Sequence, residues 1–305
     1  MTGLPDDRAA TARGIALMIA GIFVVSVMDA LIKWLTSTFP SIEIVFFRNL
    51  FGLFPLFAIV AWSGGLKLLR TRRWAAHLGR SLAGVGAMLC FFFALSGLAL
   101  AEAISLAFTS PLFMTALSVP LLGEKVGIRR LSAILVGFAG VLIIVRPGSD
   151  VFSIYALLAI GASFCFALGM VLGRRMSDTE SSVSIVFYTT IAGLLAGAIG
   201  TPAVWVMPGP GDWPFLIALG LLGGVGQFLI TSAFRLAQAV VVAPFEYTAL
   251  LWGVLFGYVL WDEVPDVETF IGGALVIGAG LYIGYRETRL GKKTEGPGAM
   301  PEPSP

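Results

Sequence analysis

Ten apolar stretches of roughly twenty residues recur along this 305-residue chain, and they constrain its fold more than any single motif. A helix rises about 1.5 Å per residue, so about 20 mostly apolar residues cross the hydrocarbon layer of a bilayer. The expected spans are 14–35, 42–62, 78–97, 103–122, 131–146, 152–174, 183–206, 213–236, 240–261 and 267–286. The fifth is short, which a locally thinner bilayer or a less tilted helix accommodates. Connections are brief and carry turn chemistry, as in Pro147-Gly148-Ser149-Asp150 and in residues 207–212, so no extramembrane domain fits between the spans. Residues 1–13 form a short leading segment, and the polar, Gly/Pro-rich stretch 287–305 is expected to be a disordered tail.

Composition agrees with that reading. Charged residues are 12% of the chain against roughly 25% in soluble domains, and 37 glycines suit close helix packing in lipid. A net charge of +2 gives no basic field for nucleic acid. Cys90 and Cys165 lie in unrelated apolar stretches and read as packing residues. The first stretch follows Arg8 and Arg13 as a signal peptide would, but its length, Asp29, Lys33 and the lack of a small-residue cleavage site make it a retained helix.

Positive charge orients the map. With a cytoplasmic N-terminus, 17 of the 20 Lys and Arg residues fall on the inner side, only Arg146 lies outside, and Lys33 and Arg48 lie within spans. The positive-inside rule therefore predicts both termini in the cytoplasm and an even number of helices.

The two halves also repeat at a spacing of about 140 residues. Residues 41–54 lie over 182–195 with six identities in fourteen positions; Gly84-Val85-Gly86 answers Gly224-Val225-Gly226, Leu100-Ala101-Glu102-Ala103 answers Leu236-Ala237-Gln238-Ala239, and Glu124 answers Glu263. A unit of five helices must enter the membrane in opposite senses in its two copies. The expected fold is thus all-α integral membrane: ten transmembrane helices as two inverted five-helix repeats, 14–146 and 147–286, around a central cavity, with the substrate site near the midplane.

No enzyme constellation is visible: there is one histidine, no metal-ligand spacing, no Gly-rich phosphate loop and no nucleophile triad, so no catalytic residue, metal or cofactor is expected. His77 sits in a basic connection and reads as solvated or facing headgroups. Ionisable groups within spans are costly and by default functional. Asp29 and Arg48 each lie roughly 9 Å from the outer end of their spans, and Lys33 and Glu43 match nearer the outer surface, so two ion pairs between the first two helices are expected. They form a structural clamp or outer gate, or contact a charged substrate. Glu246 has no cation at its depth; it is silent and protonated, bonded to Gln227 or Thr231, or a ligand for substrate or a coupling proton. Pro244 invites a kink beside it, and Pro111 and Pro120 mark breaks in the fourth span. Aromatic residues such as Phe91, Phe164, Tyr247 and Trp252, with polar Thr109, Ser163, Gln227 and Thr231, are candidates to line a partly apolar cavity, although each also has an ordinary packing or backbone-bonding role.

The sequence resembles EamA-type transporters of the drug/metabolite transporter superfamily. The likeness rests on Asp29-Ala-Leu-Ile-Lys33, Phe46-Phe-Arg-Asn-Leu50, Gly123-Glu124-Lys125, Asp262-Glu263-Val264-Pro265 and residues 243–252, and covers about 14–286. It implies a basket in which helices 1, 3, 4, 6, 8 and 9 line the cavity and 5 and 10 are peripheral. It also implies a secondary transporter in a bacterial inner membrane, and the mix of aromatic rings, hydroxyls and few fixed charges favours a resemblance to bacterial exporters of aromatic and other amino acids. Import of a cofactor-like solute such as S-adenosylmethionine or riboflavin is the alternative, and a non-transporting scaffold or membrane enzyme the alternative of another class. The expected partners are a small-molecule substrate and the lipid bilayer, and a monomer suffices.

Overall fold

A computed structural model describes residues 5–63, 65–123, 127–146, 153–176, 179–237 and 239–294. Among them the chain is helical, with no strand. The helices are α1 (Pro5–Leu35), α2 (Ser41–Ser63), α3 (Trp74–Leu95), α4 (Leu100–Ala107), α5 (Ser110–Leu122), α6 (Ile128–Val145), α7 (Ile154–Met176), α8 (Ser182–Gly200), α9 (Trp213–Leu236), α10 (Ala239–Val242), α11 (Thr248–Trp261) and α12 (Val267–Thr294). The end of the bundle where α1 starts is its N-terminal end, and the other its distal end. The repeat match at Glu124, the turn at 147–150 and the tail from 295 onward lie outside the described residues.

Seven of the described segments are long and apolar enough to cross a membrane: 10–35, 41–61, 74–95, 100–122, 154–176, 183–203 and 213–234. The other three expected spans correspond to α6, to α10 with α11, and to α12, whose apolar parts are shorter. α12 runs on to Thr294, eight residues into the segment expected to be a disordered tail, because Glu287 to Lys293 contain no proline and mostly good helix formers.

Two spans are interrupted, and both interruptions have a local cause. Between α4 and α5, Pro111 lacks the N–H that Ala107's carbonyl would accept from, and Thr109 turns its hydroxyl onto the Leu106 carbonyl at 2.7 Å. Between α10 and α11 a 3₁₀ turn at 243–247 carries Pro244, and Thr248 makes the same bond to the Phe245 carbonyl at 2.6 Å. These positions are 139 residues apart. The helices that follow end alike: Gly123 closes α5 at φ 72° and Asp262 closes α11 at φ 55°, again 139 residues apart. Asp262 is one of the residue types that adopt this left-handed conformation at low cost.

Packing is close where glycines meet backbone. α6 lies on α12 with Gly140 facing the Gly272 carbonyl, α1 lies on α9 through Gly21 and Gly226, and α2 lies on α9 through Gly220. α3 packs on α7 and α8, and α11 on α1 and α4. The largest buried cluster draws on both halves, including Ile32, Phe47, Leu95, Leu106, Ala159 and Leu216.

Candidate functional site

The interruptions bring the two halves face to face. Phe108, at the α4–α5 break, and Tyr247, at the end of the 3₁₀ turn, have ring centroids 4.7 Å apart. Tyr247's hydroxyl occupies the space that a side chain at Gly280 of α12 would fill. Beside Tyr247, Glu246 is half-buried, and among the described residues no cation lies within ion-pair distance of it. Gln227 donates to Thr231 at 3.4 Å, so these two bond each other and not Glu246.

The other candidates divide into aromatic residues packed against other rings or the core and hydroxyls committed to backbone carbonyls. Trp252 makes an edge contact with Phe23 at 4.9 Å and stacks on Phe256 at 6.3 Å, while its indole Nε1 is buried without a partner. Phe164, partly exposed, meets Phe113 edge-on at 5.6 Å, and Phe91 packs half-buried against the main core. Thr109 and Ser163 are committed. Both are buried, and the Ser163 hydroxyl lies 2.9 Å from the Leu106 carbonyl and 3.3 Å from that of Ala107, the acceptor Pro111 leaves open. Their hydroxyls serve the break and are not turned to a ligand.

The expected ion pairs of the first two helices are not formed. Asp29 and Arg48 feel one another electrostatically but make no salt bridge within 4.0 Å; Arg48 is held between Met88 Sδ, at 3.6 Å, and Gly223 of α9, with its Nε unpartnered. Glu43 instead accepts from the Val206 backbone N–H at 3.0 Å. Lys33 pairs with Glu263 Oε1 at 2.6 Å, donates to the Leu98 carbonyl and lies 5.3 Å from the centre of the Trp261 ring. The other oxygen of Glu263 accepts from Leu100 N–H at 3.0 Å. Rotation about each helix axis turns these charges toward different neighbours.

At the N-terminal end, His77 is buried rather than solvated. Its Nε2 is 3.1 Å from Glu180 Oε2, and its ring centroid is 4.4 Å from that of Tyr188. Thr71 donates to Glu180 Oε1 at 2.7 Å, and Tyr188 donates to the Leu69 carbonyl at 2.7 Å. Burial pushes the Glu180 carboxyl up, but the bonds from His77, Thr71 and Ser184 outweigh it and hold it below its usual value. This knot ties the α2–α3 connection to the α7–α8 connection. Sequence reasoning passed over Glu180; its one signal was an acidic pair, Asp178 and Glu180, following Arg174 and Arg175 at a helix end.

The model of the EamA-like transporter family matches residues 12–146 and again 153–285. The chain belongs to that family. Its relatives include the pseudopaline exporter CntI of Pseudomonas aeruginosa, 32% identical over 269 residues that cover 87% of this chain and 93% of that protein. An S-adenosylmethionine uptake transporter of Rickettsia bellii is 28% identical over 92% of this chain and 96% of its own length. A riboflavin transporter of Brucella anthropi is 29% identical over 80% and 88%. A solved crystal structure shares the fold with a TM-score of 0.61 at 20% identity, covering 95% of this chain and 99% of that one. The two matches of the family model divide the chain where the sequence repeat does, and the relatives are membrane transporters that include both exporters and importers.

Proposed function

We propose that this chain is a secondary transporter of ten transmembrane helices in two inverted five-helix halves, moving a small metabolite across a bacterial inner membrane by alternating access. The observation that carries the reading is the meeting of the two interrupted helices at Phe108 and Tyr247. Both breaks lie about eight residues from the N-terminal end of their spans, so in oppositely directed helices they stand at mirrored depths. Interrupted helices facing each other at a repeat interface are where such proteins place their substrate site. Both termini are cytoplasmic on this reading, as the Lys/Arg distribution requires.

The favoured substrate is an amino acid or similar zwitterion, and the favoured direction export. Glu246 offers a carboxylate to an amino group, Arg48 and Asp29 supply charge deeper in the bundle, and Phe164, Tyr247 and Trp252 supply apolar surface. The exporter among the relatives supports the direction. Import of a cofactor-like solute is the second reading, supported by the S-adenosylmethionine and riboflavin transporters.

Purified protein in liposomes, offered labelled amino acids, S-adenosylmethionine and riboflavin with and without a pH gradient, tests both readings. Glu246→Gln keeps the shape of the side chain and removes its charge. If Glu246 couples protons, the variant exchanges substrate but loses acceleration by the gradient. If it binds the substrate amine, amino acids are taken up weakly at every pH. Wild-type behaviour in both assays makes Glu246 a packing residue, and uptake of a cofactor without any amino acid overturns the first reading.

A further inference from the structure

Lys33 is held at the distal end by three groups from two segments distant in sequence. Its ammonium meets the Glu263 carboxylate at 2.6 Å, the Leu98 carbonyl and the face of Trp261. A carboxylate, a carbonyl and an aromatic face converging on one nitrogen are the elements that recognise a primary ammonium: two acceptors for its N–H donors and a ring quadrupole for its charge. The receptor is braced independently of Lys33, because Leu100 N–H holds the other oxygen of Glu263 at 3.0 Å. Lys33, by contrast, comes from α1, two residues from its C-terminal end, on a flexible four-carbon stem.

This corner opens on a cavity of about 350 Å³ lined also by Thr36, Ser96 and Gly97. That volume is in the range of about 300–1,000 Å³ that small-molecule sites occupy. The lysine ammonium is nearly enclosed, with its side chain 9% exposed, whereas the Glu263 side chain is 25% exposed and so reachable from the cavity. The surroundings favour a cation: Glu102 lies within electrostatic reach of both Lys33 and Glu263, and Asp266 and Glu268 stand nearby around Arg146.

We infer that the corner formed by Glu263, Leu98 and Trp261 is a binding site for a primary ammonium group, occupied here by the chain's own Lys33 and open to the amine of a small solute in the adjoining cavity. A solute that takes Lys33's place also removes the tie between α1 and the connections α3–α4 and α11–α12. The ammonium site stands apart from the proposed function; only a role for its solute in transport would rest on that reading.

The test vacates the site and supplies the missing group in solution. Lys33→Ala protein in nanodiscs is melted, followed by tryptophan fluorescence, in ethylammonium chloride and at equal ionic strength in sodium chloride and tetramethylammonium chloride. Ethylammonium is expected to raise the melting temperature of Lys33→Ala by about 3 °C above the sodium control, as a ligand at several times its Kd would. Tetramethylammonium, which has no N–H, gives no rise, and the double variant Lys33→Ala with Glu263→Gln does not respond. An equal rise in wild type and both variants, or no preference for ethylammonium over sodium, overturns the inference. If Lys33→Ala does not fold, Lys33→Gln keeps a donor for Leu98 and replaces it in the same comparison, with the same outcomes deciding. Transport does not enter the readout, so failure of every uptake assay leaves this result standing, and failure here leaves the transport reading untouched.

Discussion

The two ends of the bundle each carry a carboxylate that ties distant connections together, and they do it differently. At the N-terminal end Glu180 is enclosed with His77, their side chains 6% and 3% exposed, and its oxygens meet His77, Thr71 and Ser184. At the distal end Glu263 holds Lys33 at the wall of a cavity. An enclosed and hydrogen-bonded carboxylate is stabilising only while all its partners are present, since each partner left alone is a buried polar group without a bond. A pair at a cavity wall can exchange partners with the solution at modest cost. The N-terminal knot is therefore a fastening, and the distal pair a place where something can compete.

That contrast can be broken by substitution. Glu180→Ala strands His77 Nε2 and the Thr71 hydroxyl, and is expected to lower stability by about 3 kcal/mol in thermal unfolding of the purified protein. A loss under about 1 kcal/mol would mean that the N-terminal end is no more tightly fastened than the distal one. Glu263→Gln removes the charge of the partly exposed partner while its amide oxygen still accepts from Lys33, and should cost about 1 kcal/mol. Its cost should shrink as salt is raised from low to physiological strength, whereas that of Glu180→Ala should not, because enclosed charges are screened less. Equal salt dependence at both ends erases the distinction.

The smallest effect is acid sensitivity. Glu180's carboxyl is held below its ordinary value of 4.5 in the folded protein, so its stabilisation is complete above that value and is lost as pH falls through the lowered one. Wild type should consequently lose stability below about pH 4.5 more steeply than Glu180→Gln, which cannot titrate there. Parallel curves for the two proteins would remove Glu180 from the acid response.

Much of this molecule was legible before any coordinates. Hydropathy marked seven segments long and apolar enough to cross a membrane, and the repeat spacing of about 140 residues recurs in the breaks at 109 and 248 and the helix endings at 123 and 262. Proline chemistry located the interruptions at Pro111 and Pro244, but Pro120, also expected to mark a break, lies inside the continuous helix α5. These are local properties: apolar content sums along one segment, and a missing N–H or a left-handed residue acts within one turn.

What only the tertiary structure decided was which residue met which. Depth along a helix follows from counting residues at a fixed rise, so Asp29 with Arg48 and Lys33 with Glu43 looked paired. Contact also needs the rotation about each axis, which advances about 100° per residue and depends on every helix packed alongside. That rotation sent Lys33 to Glu263 across 230 positions, turned Arg48 toward Gly223 and Met88, enclosed His77 with Glu180, and committed Ser163 and Thr109 to carbonyls at the break. The sequence determined how far along each helix its polar groups would stand; packing among the helices determined which way they pointed.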